Sequence, residues 1–187
     1  MKDKKEKILK TSLKLFVERG FHNTPTSLIA KEAGVATGTL FHYFNTKELL
    51  INTLYLEVKD NMMVDLTSNL DNQETIKAKM KQIFMNSLSW AFNKPEQQLF
   101  FMQYSHSPFI DQLTRQQGMQ RFNKIFDIIE EGGKTDVLKN ISTEMLFEIA
   151  QGLINGSIKY FKENKEYFEN KETLENAFLT FWDAIKG

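Results

Sequence analysis

The sequence predicts an all-α protein, and three observations carry that prediction. Apolar residues recur at spacings of three and four along the 187-residue chain, the period of a helical face, and no stretch alternates convincingly as a half-buried strand does. Each of the three prolines, Pro25, Pro95 and Pro108, falls where that period is interrupted. Gly20, Gly34 and the pair Gly132-Gly133 stand where helices are expected to stop. The spacing yields about nine helices.

The first covers residues 5–19 and turns Ile8, Leu9, Ser12, Leu13, Leu15 and Phe16 inward. Thr24-Pro25-Thr26-Ser27 starts a short second helix, since proline is tolerated in a first turn, and Gly34 ends it. A third spans residues 37–44. Asn45-Thr46 caps a fourth that reaches residue 70, with Lys47 and Glu48 in its first turn. Asp71-Asn72-Gln73 is a loop. The fifth, residues 75–93, lines up Ile76, Met80, Ile83, Phe84, Ser87 and Ala91. Pro95 opens a sixth that ends at Tyr104, and a seventh runs from Ile110 to Glu131. The last two cover residues 142–164 and 171–185.

Charge divides the chain. Its 24 basic and 24 acidic residues cancel. Residues 1–50, however, hold nine Lys or Arg against five acids, a net of +4, and the remainder carries −4. A basic head on an acidic body suits an anionic partner for the head. Without cysteine there is no disulfide framework, thiolate nucleophile or Cys-based zinc site. His22, His42 and His106 are too far apart in sequence for a helical metal motif, so neither metal nor cofactor is expected. No apolar run approaches the length of a membrane span and no signal peptide is recognisable, so a cytoplasmic protein without membrane attachment is expected. Neither a nucleophile elbow nor a paired-carboxylate constellation appears, and the chain is not expected to be an enzyme.

Residues 27–44 form two short helices around Gly34-Val35-Ala36, the arrangement of a helix-turn-helix, whose second helix enters the DNA major groove. Ala30, Val35 and Leu40 are placed to pack the two helices together. Thr37, Gly38, Thr39, His42 and Tyr43 face outward, whereas Phe44 reads as core. Hydroxyls suit phosphate, and Thr methyls suit thymine methyls. No arginine lies in residues 21–50, so bidentate guanine readout by arginine is missing and DNA shape carries more of the specificity.

The stretch from Thr26-Ser27-Leu28-Ile29-Ala30 through Gly34-Val35-Ala36-Thr37-Gly38-Thr39-Leu40-Phe41-His42-Tyr43-Phe44 to Lys47-Glu48-Leu49-Leu50 resembles the signature of the TetR family of bacterial transcriptional regulators. Ile8, Leu15-Phe16 and Gly20-Phe21 match that family's first helix. The resemblance implies that Thr26 and Ser27 contact phosphate at the start of the second helix. It places Thr37, Gly38, Thr39 and His42 against bases or flanking backbone, and assigns Tyr43 and Lys47 to phosphate. Two positions depart from the pattern. Ala36 stands where serine often caps the recognition helix, a loss of about 1 kcal/mol that Thr37 is expected to offset by taking over the cap. Phe41 stands where tyrosine is usual, so a hydroxyl is missing.

Beyond residue 47 lie 12 of the 16 Phe, seven of the eight Met and both Trp, a composition that suits an adaptable apolar cavity. Met63, Met80, Phe84, Ser87, Trp90, Phe101, Tyr104, Phe122 and Phe126 have spacings that allow them to converge, although each also reads as ordinary core. Glu57, Asp60 and Asp65 suit a cationic ligand or, more simply, a solvated helix face. The last two helices carry excess apolar residues: Leu146, Ile149 and Leu153 on one, Phe178, Phe181 and Trp182 on the other. Gly152 and Gly156 admit a closely approaching helix, from a second copy or from the same chain.

The resemblance thus implies a DNA-binding domain at residues 1–47 and an effector-binding and dimerisation domain at residues 48–187. The expected partners are a double-stranded DNA operator, a lipophilic or aromatic small molecule and a second copy of the chain. The expected function is a repressor that releases its operator when the effector binds. An activator of the same fold, or a regulator working through another protein, remains open.

Overall fold

The computed structural model describes residues 2–187, and among them it contains eleven α-helices, one turn of 3-10 helix and no strand. The helices are α1 (Lys2–Arg19), α2 (Thr26–Glu32), α3 (Thr37–Tyr43), α4 (Lys47–Leu66), α5 (Ile76–Asn93) and α6 (Pro95–Tyr104). They continue with α7 (Gln112–Gln120), α8 (Asn123–Lys134), α9 (Thr143–Glu163), α10 (Lys165–Phe168) and α11 (Lys171–Ile185). Packing sorts them into two compact units. One joins residues up to 61 to residues 94–120; the other joins residues 62–93 to 121–187. This partition differs from a division at residue 47, because α6 packs along α1 and α4 runs from one unit into the other.

In the first unit α1 buries the stripe expected from its spacing, with Ile8, Ser12 and Phe16 fully buried. Ser12 lies inside because its hydroxyl donates to the Ile8 carbonyl at 2.7 Å, which satisfies its polar atom. Gly20 ends α1 at φ +75°, a left-handed conformation that disfavours any side chain. The Thr24 hydroxyl donates to Gly20 O at 2.7 Å and closes the turn toward α2. Thr46 caps α4, its hydroxyl accepting from the Leu49 amide at 3.0 Å. On α6, the buried Tyr104 hydroxyl donates to Phe16 O at 3.1 Å, which ties α6 to α1; burial raises its pKa.

In the second unit α5 packs against α8, α9 and α11. Phe84 meets Phe181 at 5.1 Å and Phe178 at 6.0 Å between ring centres. Phe147 takes Phe122 at 5.1 Å and Phe126 at 4.7 Å. Ser142 caps α9 and Asn170 caps α11, each accepting from an amide three residues on.

Three boundaries differ from those the sequence predicts. The helix expected from Ile110 to Glu131 is two helices, α7 and α8, separated at Arg121-Phe122. Gly132-Gly133 does not stop α8, which continues to Lys134. Gly132 answers a packing need instead: a Cβ there would lie 2.5 Å from Leu138 Cδ1. The fourth helix stops at Leu66, before a left-handed Asn69 at φ 61°. With the short α10, these changes raise the expected nine helices to eleven.

Candidate nucleic-acid interface

The α2–α3 pair is held by side chains pointing inward. Ile29, Ala30 and Leu40 are at most 1% exposed, and Phe44 follows Leu40 into the interior. Gly34 turns the chain at φ +66°, and the Val35 amide donates to Ala30 O at 3.0 Å. The other face of α3 is presented outward: Thr37, Gly38, Phe41 and His42 are exposed, and Thr39 and Tyr43 half-buried. Ser27 is exposed at the start of α2 and Thr26 half-buried. His42 and Tyr43 meet edge to face at 5.5 Å. No side chain caps α3: Ala36 is its N-cap residue, and Thr37, already helical, does not take over that bond.

Lys47 is placed differently from a simple phosphate ligand. Its ammonium donates to the Phe21 carbonyl and lies 4.1 Å from the centre of the Phe21 ring, and burial lowers its pKa. It thereby fastens the start of α4 to the α1–α2 loop. Phe21 also stacks on Phe109 at 4.1 Å and on Phe16 at 5.7 Å. Phe109 belongs to the loop between α6 and α7. The buried Asn52 side chain clamps that loop, donating to Phe109 O and accepting from the Asp111 amide, both at 3.0 Å. The Arg115 guanidinium donates to Ser105 O and Ser107 O. Sequence reasoning missed Asn52, Phe109 and Arg115, and noted Phe21 only as a match to the family's first helix. Phe21 carried an apolar signal, while the polar clamps join residues far apart in the chain and leave no local pattern.

The residues expected at a pocket are divided. Met63, Met80, Phe84, Ser87, Trp90 and Phe122 are buried in the second unit, where Phe126 is half-buried. Phe101 and Tyr104 belong to the first unit, Phe101 stacking on Tyr55 at 6.3 Å. The Lys59 ammonium lies 5.2 Å from the Tyr55 ring centre and 5.5 Å from that of Phe101, with the residue 2% exposed, a burial its sequence gave no reason to expect. Ser87 donates to Ile83 O. The Trp90 indole N–H, on a residue 5% exposed, has no hydrogen-bond partner among the described residues. Glu57 and Asp60 line a groove of about 420 Å³ between α4 and α7, and burial raises the Glu57 pKa, with Asp60 adding to the shift. Asp65 lies outside it.

The residues expected at a dimer interface also separate. Leu146, Phe178, Phe181 and Trp182 fill the interior of their own unit, because α11 turns its aromatic face toward α5. Ile149, Gly152 and Gly156 are exposed and Leu153 half-buried. A Cβ at either glycine would meet nothing within 4 Å, so the pair serves no close packing within the chain. They line a groove of about 500 Å³ between α9 and α11.

The family model for the N-terminal domain of bacterial regulatory proteins of the tetR family matches residues 8–54, which contain α2 and α3. A tetracyclin repressor-like C-terminal domain matches residues 75–186. This chain belongs to the TetR family. It is a DNA-binding transcription regulator with a helix-turn-helix head. A TetR-family transcription regulator of known structure from Shewanella sp. PV-4 is 35% identical, with 98% of each chain covered and a TM-score of 0.93. The fatty acid metabolism regulator protein of Bacillus subtilis is 27% identical over 164 residues, 85% of this chain and 74% of its own length. The structure of the B. subtilis transcriptional regulator FadR in complex with stearoyl-CoA is 18% identical and shares the TetR fold, with a TM-score of 0.76 and 95% of each chain covered. Among the described residues no helix is long and apolar enough to cross a membrane.

Proposed function

We propose that this TetR-family regulator is a homodimeric repressor that releases its operator when a lipophilic effector of the acyl-thioester class binds the C-terminal domain. The head, residues 1–47, contacts DNA through Thr26, Ser27, Thr37, Gly38, Thr39, His42 and Tyr43, with Lys47 fastening the start of α4 to the α1–α2 loop. Residues 48–187 bind the effector and the second copy.

The observation that carries the effector reading is Trp90. A buried indole N–H ordinarily finds an acceptor, and leaving one unmet costs about 1–3 kcal/mol. An oxygen-bearing ligand with a long apolar body supplies the acceptor and suits the apolar set Met63, Met80, Phe84, Phe122 and Phe126 that the sequence offers for a pocket. Similarity to a fatty acid metabolism regulator over most of the chain supports the same class. The α9–α11 groove, with its two open glycines, suits a second copy, since a twofold pair presents two recognition helices to two half-sites. Effector binding beside Met63, near the end of α4, displaces α4 and with it the head that Lys47 fastens to its start.

Native mass spectrometry of protein purified gently from its own host tests the reading. A dimer carrying a discrete added mass, displaced by palmitoyl-CoA, is expected. A monomer, or a dimer that takes up no palmitoyl-CoA, contradicts it.

A further inference from the structure

The recognition helix reads Thr-Gly-Thr-Leu-Phe-His-Tyr from Thr37 to Tyr43, without a lysine, arginine, asparagine or glutamine. Those are the side chains that read guanine and adenine through paired hydrogen bonds in the major groove, so α3 has none of them to use. What it does present is a phenylalanine. Phe41 is 41% exposed, while Leu40 at 0% and Phe44 at 1% already fill the inward positions. The fold therefore does not need the Phe41 ring for its core, and in water the ring carries an uncompensated apolar surface. It shares a helical face with Thr37 and Gly38, four and three residues earlier, both exposed. A Cβ at Gly38 would meet nothing within 4 Å, so the surface one turn before Phe41 is open to an approaching base edge.

The apolar group that a base pair displays in the major groove is the thymine 5-methyl. We infer that Phe41 packs against thymine 5-methyl groups, so that this regulator selects A·T base pairs at fixed operator positions by an apolar contact rather than by charged base readout. The inference rests on the operator-binding reading above and names what that site recognises. Thr37 can add its own methyl to the contact, and the exposed His42 ring beside it offers a donor to a neighbouring acceptor.

The test begins by selecting duplexes from a random-sequence pool with the full chain. The best duplex is then remade with each thymine in turn replaced by deoxyuridine, which lacks only the methyl. At least one position in each half-site is expected to weaken binding about fourfold, the effect of exposing one buried CH₂-sized group. In Phe41→Ala the same replacement is expected to change nothing, and in Phe41→Tyr, which keeps the ring, the effect persists. Indifference of the wild type to every replacement overturns the inference. So does an undiminished methyl effect in Phe41→Ala, with circular dichroism showing the variant folded; should it misfold, loss of the effect in a folded Phe41→Tyr overturns it. Failure to enrich any duplex overturns the operator-binding reading itself.

Discussion

Lys47 shows how a single side chain changes role once its surroundings are known. A lysine at the start of a helix beside a DNA-binding unit reads as a phosphate ligand, yet its ammonium is engaged by the Phe21 carbonyl and ring. Lys47→Ala is therefore expected to destabilise the chain by about 1 kcal/mol in denaturant unfolding. It should leave the slope of log affinity against log salt unchanged; a slope shallower by about one would reveal a direct phosphate contact. Gly34→Ala is expected to cost about 1–2 kcal/mol in the same assay, because φ +66° is unfavourable for alanine. Glu57 carries a pH dependence. Burial, then the nearby Glu6 and Asp60 charges against the opposing Lys5, raises its pKa above 4.5, so the folded chain holds this proton more tightly than the unfolded one. That stabilisation is present in acid and lost as pH rises through the folded-state value. Glu57→Gln should accordingly melt higher than wild type at neutral pH, with the gap closing on acidification; a constant gap contradicts the assignment.

Elements made by local pattern were legible in the sequence. The stripe from Ile8 to Phe16, the tight turn at Gly34, the cap at Thr46 and the burial of Leu40 and Phe44 all follow from spacing and turn chemistry within a few residues. What depended on distant partners was not. Gly132-Gly133 reads as a stop, but α8 runs on to Lys134, and Leu138 occupies the space that a Cβ on Gly132 would need. Phe178, Phe181 and Trp182 read as surplus apolar surface, yet they turn inward to Phe84 and the rest of α5. The loop between α6 and α7 is the sharpest case, since Asn52 clamps it from 57 and 59 residues away. Asn52→Ala leaves a carbonyl and an amide without their partners, and is expected to cost about 2 kcal/mol. Hydrogen exchange should show the Asp111 amide losing protection ahead of α1; equal loss throughout would mean that the clamp has no local role.

For the whole molecule, the proposed release of DNA takes two copies and one moving link. Gly156 faces open space, so Gly156→Arg should leave the fold intact while blocking the approach of a second copy. Sedimentation is expected to show a folded monomer, and its affinity for a two-half-site duplex should fall steeply; a stable dimer would place the interface elsewhere. In this proposal an effector and the operator compete through one equilibrium of the protein. A ligand needs only about 1.4 kcal/mol of preference for the non-binding state to lower operator affinity tenfold. The direct measurement is fluorescence anisotropy of the selected duplex titrated with the full chain, with and without saturating palmitoyl-CoA. At least a tenfold weakening by palmitoyl-CoA, absent with free CoA, is the predicted result. Unchanged or tighter binding in the presence of palmitoyl-CoA would rule out this competition.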